Sequence, residues 1–361
     1  MHADWSDEMF IDRAIHDHSA ELARRILKRG LRNLETLLKM VCGGTDFTYV
    51  ACPDFSISLR QRRLILGLPI GGYVNWSKYD IFPLELDVNS CGVHMVRLRG
   101  GFDEHEFMSR LYSLYDRMAA KELKVGDTVL KWNFSRRNHF INIYMDSEGA
   151  HYAVFHSSGE TVLFDWAGLH SMFAVKQVLI DGRQVPYIEG ADARQYLEIA
   201  LKENGFFLER HRHVFREVFG DDHEIVFADQ HFGMMGRGEI LMGCSKVQVG
   251  SMFPILTRPF EKIFLARACT PPDEVLRVSG GCALVPHGLG MTMPSYISDV
   301  VPNRERSDYV DVIHQNGSKM VTDTLEYVGI DYRPISVLGE MSKRGGFVVE
   351  GELTPVLFTK V

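Results

Sequence analysis

The sequence predicts an α+β protein with central mixed or antiparallel sheets flanked by helices. Segments of helical period and short apolar runs bounded by Gly, Pro and Asn both occur, and they follow one another in mixed rather than strictly alternating order. The 361 residues are 45% hydrophobic and 24% charged, enough to build a substantial core without disulfide staples.

The elements follow in order. Residues 7–40 are rich in Leu, Ile, Ala, Arg and Glu, with apolar positions at helical spacing. Gly30 is expected to divide them into two helices, and Gly43-Gly44 to close the segment. Residues 1–44 thus read as a helical N-terminal segment and residues 45–361 as the main domain. From 47 to 99, apolar runs alternate with Gly, Pro and Asn clusters, the pattern of strands and loops. Residues 104–121 carry Phe107, Leu111, Leu114 and Met118 on one helical face. Residues 140–144 and 152–155 read as buried strands, and 191–219 as a long helix with a break expected near Gly205. Strands then predominate, punctuated by Gly- and Pro-rich turns at 233–238, 279–281 and 286–294.

Composition narrows the function classes. No run of about eighteen uncharged apolar residues occurs, so no membrane span is expected. The acidic start from Met1 to Glu8 lacks the basic flank and apolar run of a secretory signal. The six cysteines show no two-residue pairing. A reducing, cytoplasmic setting is therefore expected. The formal net charge of −7 argues against broad nucleic-acid coating but leaves room for a local basic groove. Arg24-Arg25, Lys28-Arg29 and Arg32, or Arg60, Arg62 and Arg63, are candidates for one, or simply solvated faces.

Fifteen histidines make each one a weak signal, since a lone histidine more often just finds a core partner. Context selects a few. Asp87-Val88-Asn89-Ser90-Cys91-Gly92 puts a carboxylate and a thiol on one expected tight loop. Asn138-His139, Phe155-His156 and Gln230-His231 each place a histidine at the border of an apolar run. Oxygen, sulfur and nitrogen donors from separate segments suit a first-row transition metal. In His287-Gly288-Leu289-Gly290, glycines let backbone amides approach an anion beside an imidazole, which could attack phosphorus. The alternative there is a glycine-rich turn carrying a solvent-facing histidine.

Taken in order, these motifs resemble the RtcB-type RNA ligases. Ala51-Cys52-Pro53-Asp54 and Gly67-Leu68-Pro69-Ile70-Gly71-Gly72 resemble the family's early segments. Asp87 through Val93 resembles its metal loop, Asn138-His139-Phe140-Ile141 its NHF motif, and Phe155-His156-Ser157 its LHS motif. His287 through Gly290 resembles the nucleophile loop, Asp331-Tyr332-Arg333-Pro334-Ile335 the AYKDI segment, and Lys360 the terminal lysine. The resemblance runs from about residue 50 onward and implies an RtcB-like fold for the main domain. It implies two metal ions, usually Mn²⁺ with Zn²⁺ possible, and GTP as cofactor. A histidine-linked GMP would serve to join RNA 3′-phosphate (or 2′,3′-cyclic phosphate) and 5′-hydroxyl ends. Asp87, Cys91, His139, His156 and His231 would then be metal ligands, and His287 the nucleophile. Asn138, Gly288 and Gly290 would line the phosphates, and Tyr332 and Lys360 would meet guanine.

The chain departs from the family pattern at several places. The metal loop has one extra residue, Asn142 replaces a glutamate, and Ser158-Gly159-Glu160 stands where Gly-Ser-Arg-Gly is usual. Met291 replaces an arginine. The PGSM motif fits either Val249-Gly250-Ser251-Met252 or the region of Pro286, and the second placement would make His314 the nucleophile. These losses of phosphate-pairing guanidinium groups keep two other readings open: a metal-dependent phosphoesterase or nucleotidyltransferase, and a non-catalytic RNA- or nucleotide-binding relative.

Overall fold

A computed structural model describes residues 9–58, 61–86, 90–121, 124–125, 128–129, 131–135, 138–159, 172–221, 223–306 and 308–360. The first part comprises β1 (Phe10–Asp12), α1 (His18–Cys42), β2 (Thr48–Ser56), α2 (Gln61–Leu66), β3 (Ile70–Asn75), β4 (Ile81–Pro83), β5 (Cys91–Leu98) and α3 (Glu104–Ala119). Next come β6 (Lys124–Val125), β7 (Thr128–Val129), β8 (Phe140–Met145), β9 (His151–Ser158), β10 (Lys176–Ile180), β11 (Arg183–Glu189) and α4 (Ala191–Phe219). They are followed by β12 (His223–Gly236), β13 (Glu239–Met242), β14 (Cys244–Val247), β15 (Met252–Ile255), β16 (Ile263–Ala268), α5 (Asp273–Val278) and β17 (Ala283–Pro286). The last are β18 (Met291–Thr292), β19 (Ile297–Pro302), β20 (Val310–His314), β21 (Lys319–Thr322), β22 (Asp331–Tyr332), α6 (Leu338–Gly345) and β23 (Phe347–Thr359).

The class is mixed α+β, as the order of patterns predicts. An eleven-stranded sheet runs β1-β2-β3-β13-β12-β5-β9-β8-β23-β16-β15. Only β1 pairs in parallel, with β2; the other neighbours are antiparallel. Strand alternation gives the central strands two apolar faces. One face buries Val96, Ile141, Ile143, Ala153 and Phe155 against Phe107, Leu111 and Leu114 of α3 and Val214, Phe215 and Val218 of α4. The other buries Val93, Met95, Tyr144 and Val154 with Val247, Phe253, Ile255 and Val285. The histidine-bearing strands are thus fixed from both sides.

Residues 18–42 form one helix, not two. Asp17 caps its start by accepting from the Ala20 amide at 2.7 Å, and Gly43, at φ 72°, ends it. Gly30 is a packing contact, because a Cβ there would lie 2.1 Å from the Gly67 carbonyl oxygen. Residues 191–219 are likewise continuous through Gly205. The apolar face of α1 (Leu22, Ile26, Leu34, Leu38) shares one core with Tyr49, Phe82, Tyr196 and Ile297.

The basic residues of α1 and α2 mostly tie elements together. Arg24 pairs with Asp12, Arg29 with Asp299 and the Val300 carbonyl, and Arg25 with the Ser298 carbonyl. Arg63 is buried over the Phe232 ring at 3.7 Å. Arg60 and the side chain of Arg62 lie outside the described residues. No helix among the described residues is long and apolar enough to cross a membrane.

Candidate metal centre and adjacent histidine

Three central strands deliver the ligand types. Cys91 is the first residue of β5 rather than part of a tight loop, so its side chain direction is set by the strand pleat. His156 lies opposite Val93 across the β5–β9 pair, and Phe140 lies opposite His156 across β8–β9. The register places Cys91, His156 and Phe140 on one face of the sheet. His139 immediately precedes β8 and reaches the same place. His231 comes from β12, where the pairing with β5 shifts register between Gln230 and Phe232; such a bulge re-aims a side chain.

The atoms converge. Cys91 Sγ lies 3.2 Å from His156 Nε2 and 3.9 Å from His139 Nε2, and His156 Nε2 lies 3.3 Å from His231 Nε2. Cys91, His156 and His231 each offer a ligand atom within 4.8 Å of the others, and all are buried. A tetrahedral ion with bonds of about 2.1 Å to nitrogen and 2.3 Å to sulfur holds its ligand atoms about 3.3–3.6 Å apart. The observed spacings match that scale.

Backbone carbonyls set the tautomers. His139 Nδ1–H donates to the Asn133 carbonyl at 2.8 Å, and His156 Nδ1–H donates to the Asn138 carbonyl at 2.9 Å. Each ring therefore turns a bare Nε2 lone pair toward Cys91, the arrangement expected around a metal. Burial holds His156 and His231 well below the usual histidine range, so both are neutral and ligand-competent. His231 Nδ1 is buried with no hydrogen-bond partner among the described residues. Hydrogen bonds alone account poorly for such a set, because Cys91 and His231 would compete for the single lone pair of His156. A cation would satisfy Cys91 Sγ and the converging Nε2 lone pairs together. A buried Cys91–His156–His231 group can thus bind a metal ion, and three imidazoles with one thiolate suit borderline first-row ions such as Zn²⁺.

His287 adjoins this cluster. Its ring stacks on His231 with centroids 4.6 Å apart and planes at 26°. Its Nδ1–H faces the Asp54 carboxylate at 2.8 Å and the Gly243 carbonyl at 2.5 Å. The Gly243 amide in turn donates to the His231 carbonyl at 2.7 Å. Asp54 is fully buried, in the stretch of β2 where pairing with β3 shifts register. The His287 side chain remains 22% exposed, with Nε2 away from these partners.

Glycines let the loop sit this close. Gly290 adopts φ 76°, and a Cβ there would lie 2.4 Å from the Asp54 carbonyl oxygen; one at Gly288 would lie 2.8 Å from that of Leu256. The loop is also clamped. The buried Arg333 guanidinium donates to the Leu289 carbonyl at 3.3 Å and the Phe55 carbonyl at 2.9 Å, and pairs with both oxygens of Asp17 at 2.7 and 2.9 Å. Asp17 is the residue that caps α1, so the N-terminal helix is tied to the His287 loop.

No protein-family model matches this chain, and no curated protein matches it either. Assignment therefore rests on side-chain chemistry.

The remaining expected residues fall in different places. Asp87 lies outside the described residues. Asn138 is exposed and contributes its carbonyl to His156. Tyr332 is half-buried on β22, paired with Met291 just beyond the His287 loop, and burial raises its phenol pKa. Lys360 is exposed at the end of β23, near enough to depress His156 slightly. Asn142 is buried and donates to Tyr144 Oη at 3.1 Å. His314 lies on the β20–β21 hairpin, with Nδ1 3.0 Å from Ser318 Oγ and its ring against Tyr296, and it makes no contact with the cysteine–histidine cluster.

Three residues without an expected role prove central. Asp54 orients His287. Asn133 is fully buried; its carbonyl accepts from His139, and its side-chain oxygen accepts from the Ser158 amide at 3.0 Å. Arg210 of α4 is fully buried on the other face and donates to Ser157 Oγ at 2.6 Å and the Ser158 carbonyl at 2.5 Å. Burial lowers its pKa to about 9, partly offset by Cys91 and Glu203. Only Asp54 carried a sequence signal, as the acid of Ala51-Cys52-Pro53-Asp54.

Proposed function

We propose that this chain is a metal-dependent RNA ligase of the RtcB type, joining a 3′-phosphate or 2′,3′-cyclic phosphate to a 5′-hydroxyl end through a histidine-linked GMP on His287. The observation carrying the reading is one juxtaposition. A buried cysteine–histidine cluster abuts an imidazole whose Nδ1 is held by a buried carboxylate, leaving Nε2 as the nucleophile. Cys91, His139, His156 and His231 would hold at least one divalent ion, Mn²⁺ in the family pattern or Zn²⁺ by donor softness. When bound, the ion neutralises charge on phosphoryl oxygens.

His287 Nε2 attacks the α-phosphorus of GTP; the N–P bond forms as the bond to pyrophosphate breaks. Asp54 accepts the hydrogen bond from Nδ1–H, keeping that proton on the ring, and offsets the positive charge that develops there, as in other acid–histidine pairs. Water first opens a 2′,3′-cyclic end to the 3′-phosphate and 2′-hydroxyl, and an oxygen of the 3′-phosphate then displaces Nε2 from phosphorus. The 5′-hydroxyl attacks the activated 3′-phosphorus, GMP leaves, and the hydroxyl proton passes to solvent. Asn138, Gly288 and Gly290 are assigned to the phosphates, and Tyr332 and Lys360 to guanine.

The test is incubation of the purified protein with Mn²⁺ and α-labelled GTP. An acid-labile adduct that disappears in His287→Ala supports the reading. Bound metal without an adduct points instead to a phosphoesterase, and an adduct that survives His287→Ala removes the proposed nucleophile.

A further inference from the structure

The loop between β15 and β16 holds an aromatic residue that neither the core nor the turn accounts for. Phe260 is 71% exposed and adopts φ 68°, a backbone region costly for a bulky side chain. Glycine or asparagine would serve the turn with less strain. The loop is nevertheless firmly braced. The Thr257 hydroxyl donates to the Lys262 carbonyl at 2.8 Å, the Glu261 amide donates to the Arg258 carbonyl at 3.1 Å, and Arg258 reaches Asp331 at 2.6 Å and the Tyr332 carbonyl at 3.5 Å. A strained residue in a well-held loop points to a role for its side chain.

The ring begins an aromatic row. Phe260 packs on Phe358 at 4.3 Å, Phe358 lies 6.1 Å from Phe140, and Phe140 lies 5.5 Å from His156. Phe358 sits opposite Asn142 across β8–β23, on the same sheet face as Phe140. The row thus leads from the surface to the metal cluster. Arg258 and Lys262 lie two residues either side of Phe260 in the chain, and Lys360 two residues beyond Phe358. Lys262 is held in an exposed ion pair with Glu352, which contributes little and can open to a phosphate.

We propose that Phe260, backed by Phe358, is a stacking platform for an unpaired base of the RNA end brought to His287. The assignment rests on the ligase reading. An aromatic face beside cationic side chains is the sequence-tolerant way to hold single-stranded nucleic acid.

The test measures binding of a short, fluorescein-labelled single-stranded RNA with a 3′-phosphate to the full chain by anisotropy. Phe260→Ala is expected to weaken binding on the order of tenfold. Phe260→Trp is expected to restore it, whereas Phe260→Leu, apolar but without a π-face, is expected to stay weak. Wild-type affinity in the Ala or Leu variant, or no RNA binding by the wild type, overturns the platform. If Phe260→Ala weakens GTP binding by calorimetry while RNA affinity is unchanged, the stacked base belongs to the nucleotide and the RNA assignment fails. Guanylylation of the wild type separates the two proposals. RNA binding that depends on Phe260 without a GMP adduct removes the ligase reading and leaves the platform. An adduct with RNA binding insensitive to Phe260→Ala removes the platform alone.

Discussion

Replacing Asp17 with alanine strips a fully buried guanidinium of its carboxylate. The Arg333 side chain is 0% exposed and that of Asp17 29% exposed. Removing one partner of a buried pair costs about 3–5 kcal/mol, because the remaining charge stays desolvated. Partial solvent access at Asp17 puts the expected loss at the lower end, about 3 kcal/mol. The helix cap lost with it adds about 1 kcal/mol. Asp17→Asn separates the two terms, since asparagine caps as well as aspartate but carries no charge. In Arg333→Met the residual aspartate can hydrate, so the double variant should be more stable than additivity requires, by about 2 kcal/mol. Urea unfolding followed by circular dichroism measures all five proteins. Additivity within about 0.5 kcal/mol, or a cost for Asp17→Ala no larger than a cap, would refute the clamp. Guanylylation in the same variants reports whether the His287 loop loosens with it.

Other expectations follow from the site. Cys91→Ala and His156→Ala should each lower bound metal in elemental analysis, and Cys91→Ala should abolish the sulfur-to-metal charge-transfer band of the Co²⁺-substituted protein; full metal content in both would remove the ligand assignment. Asp54→Asn should keep the fold but slow adduct formation about 10²–10⁴-fold, since the imidazole loses its orienting base, and an unchanged rate would exclude Asp54 from catalysis. His94 is buried with neither ring nitrogen hydrogen-bonded among the described residues, and burial lowers its pKa to about 3, with Arg212 and His223 adding to the shift. Below the unfolded value of about 6.5, the unfolded chain takes up a proton that folded His94 refuses, so stability falls by about 1.4 kcal/mol per pH unit on the way to pH 3. His94→Leu should flatten the pH dependence of the urea midpoint below pH 6.5 by that one proton, and a slope equal to the wild type's would contradict the assignment.

Local signals in the sequence located β8, β9, α3 and α4, because amphipathic period and apolar runs act over a few residues. His139 and His156 stood out because they border such runs, and their convergence follows from the adjacency of β8 and β9. The contacts that organise the site are invisible at that range. Asp54 meets His287 across 233 positions, and Asp17 meets Arg333 across 316. Arg210 read as one more charge on an amphipathic helix. Gly30 misled for a related reason: its helix penalty is about 1 kcal/mol, while the close approach of Gly67 that it permits belongs to tertiary packing. Gly205 has open space around it, and a 29-residue helix packed along one side tolerates the same penalty. Cys91 was expected in a loop because the segment before it is polar, yet pairing with both β9 and β12 draws it into the sheet.

Strand β23 lies between β8 and β16, so the sheet is incomplete until residues 347–359 have been synthesised. On the ribosome, β8 would wait with an open edge while some two hundred further residues emerge. Such an edge invites wrong partners, and the hazard sits beside His139, which precedes β8, and β9, which carries His156. Nascent chains halted before this strand should therefore depend on chaperones.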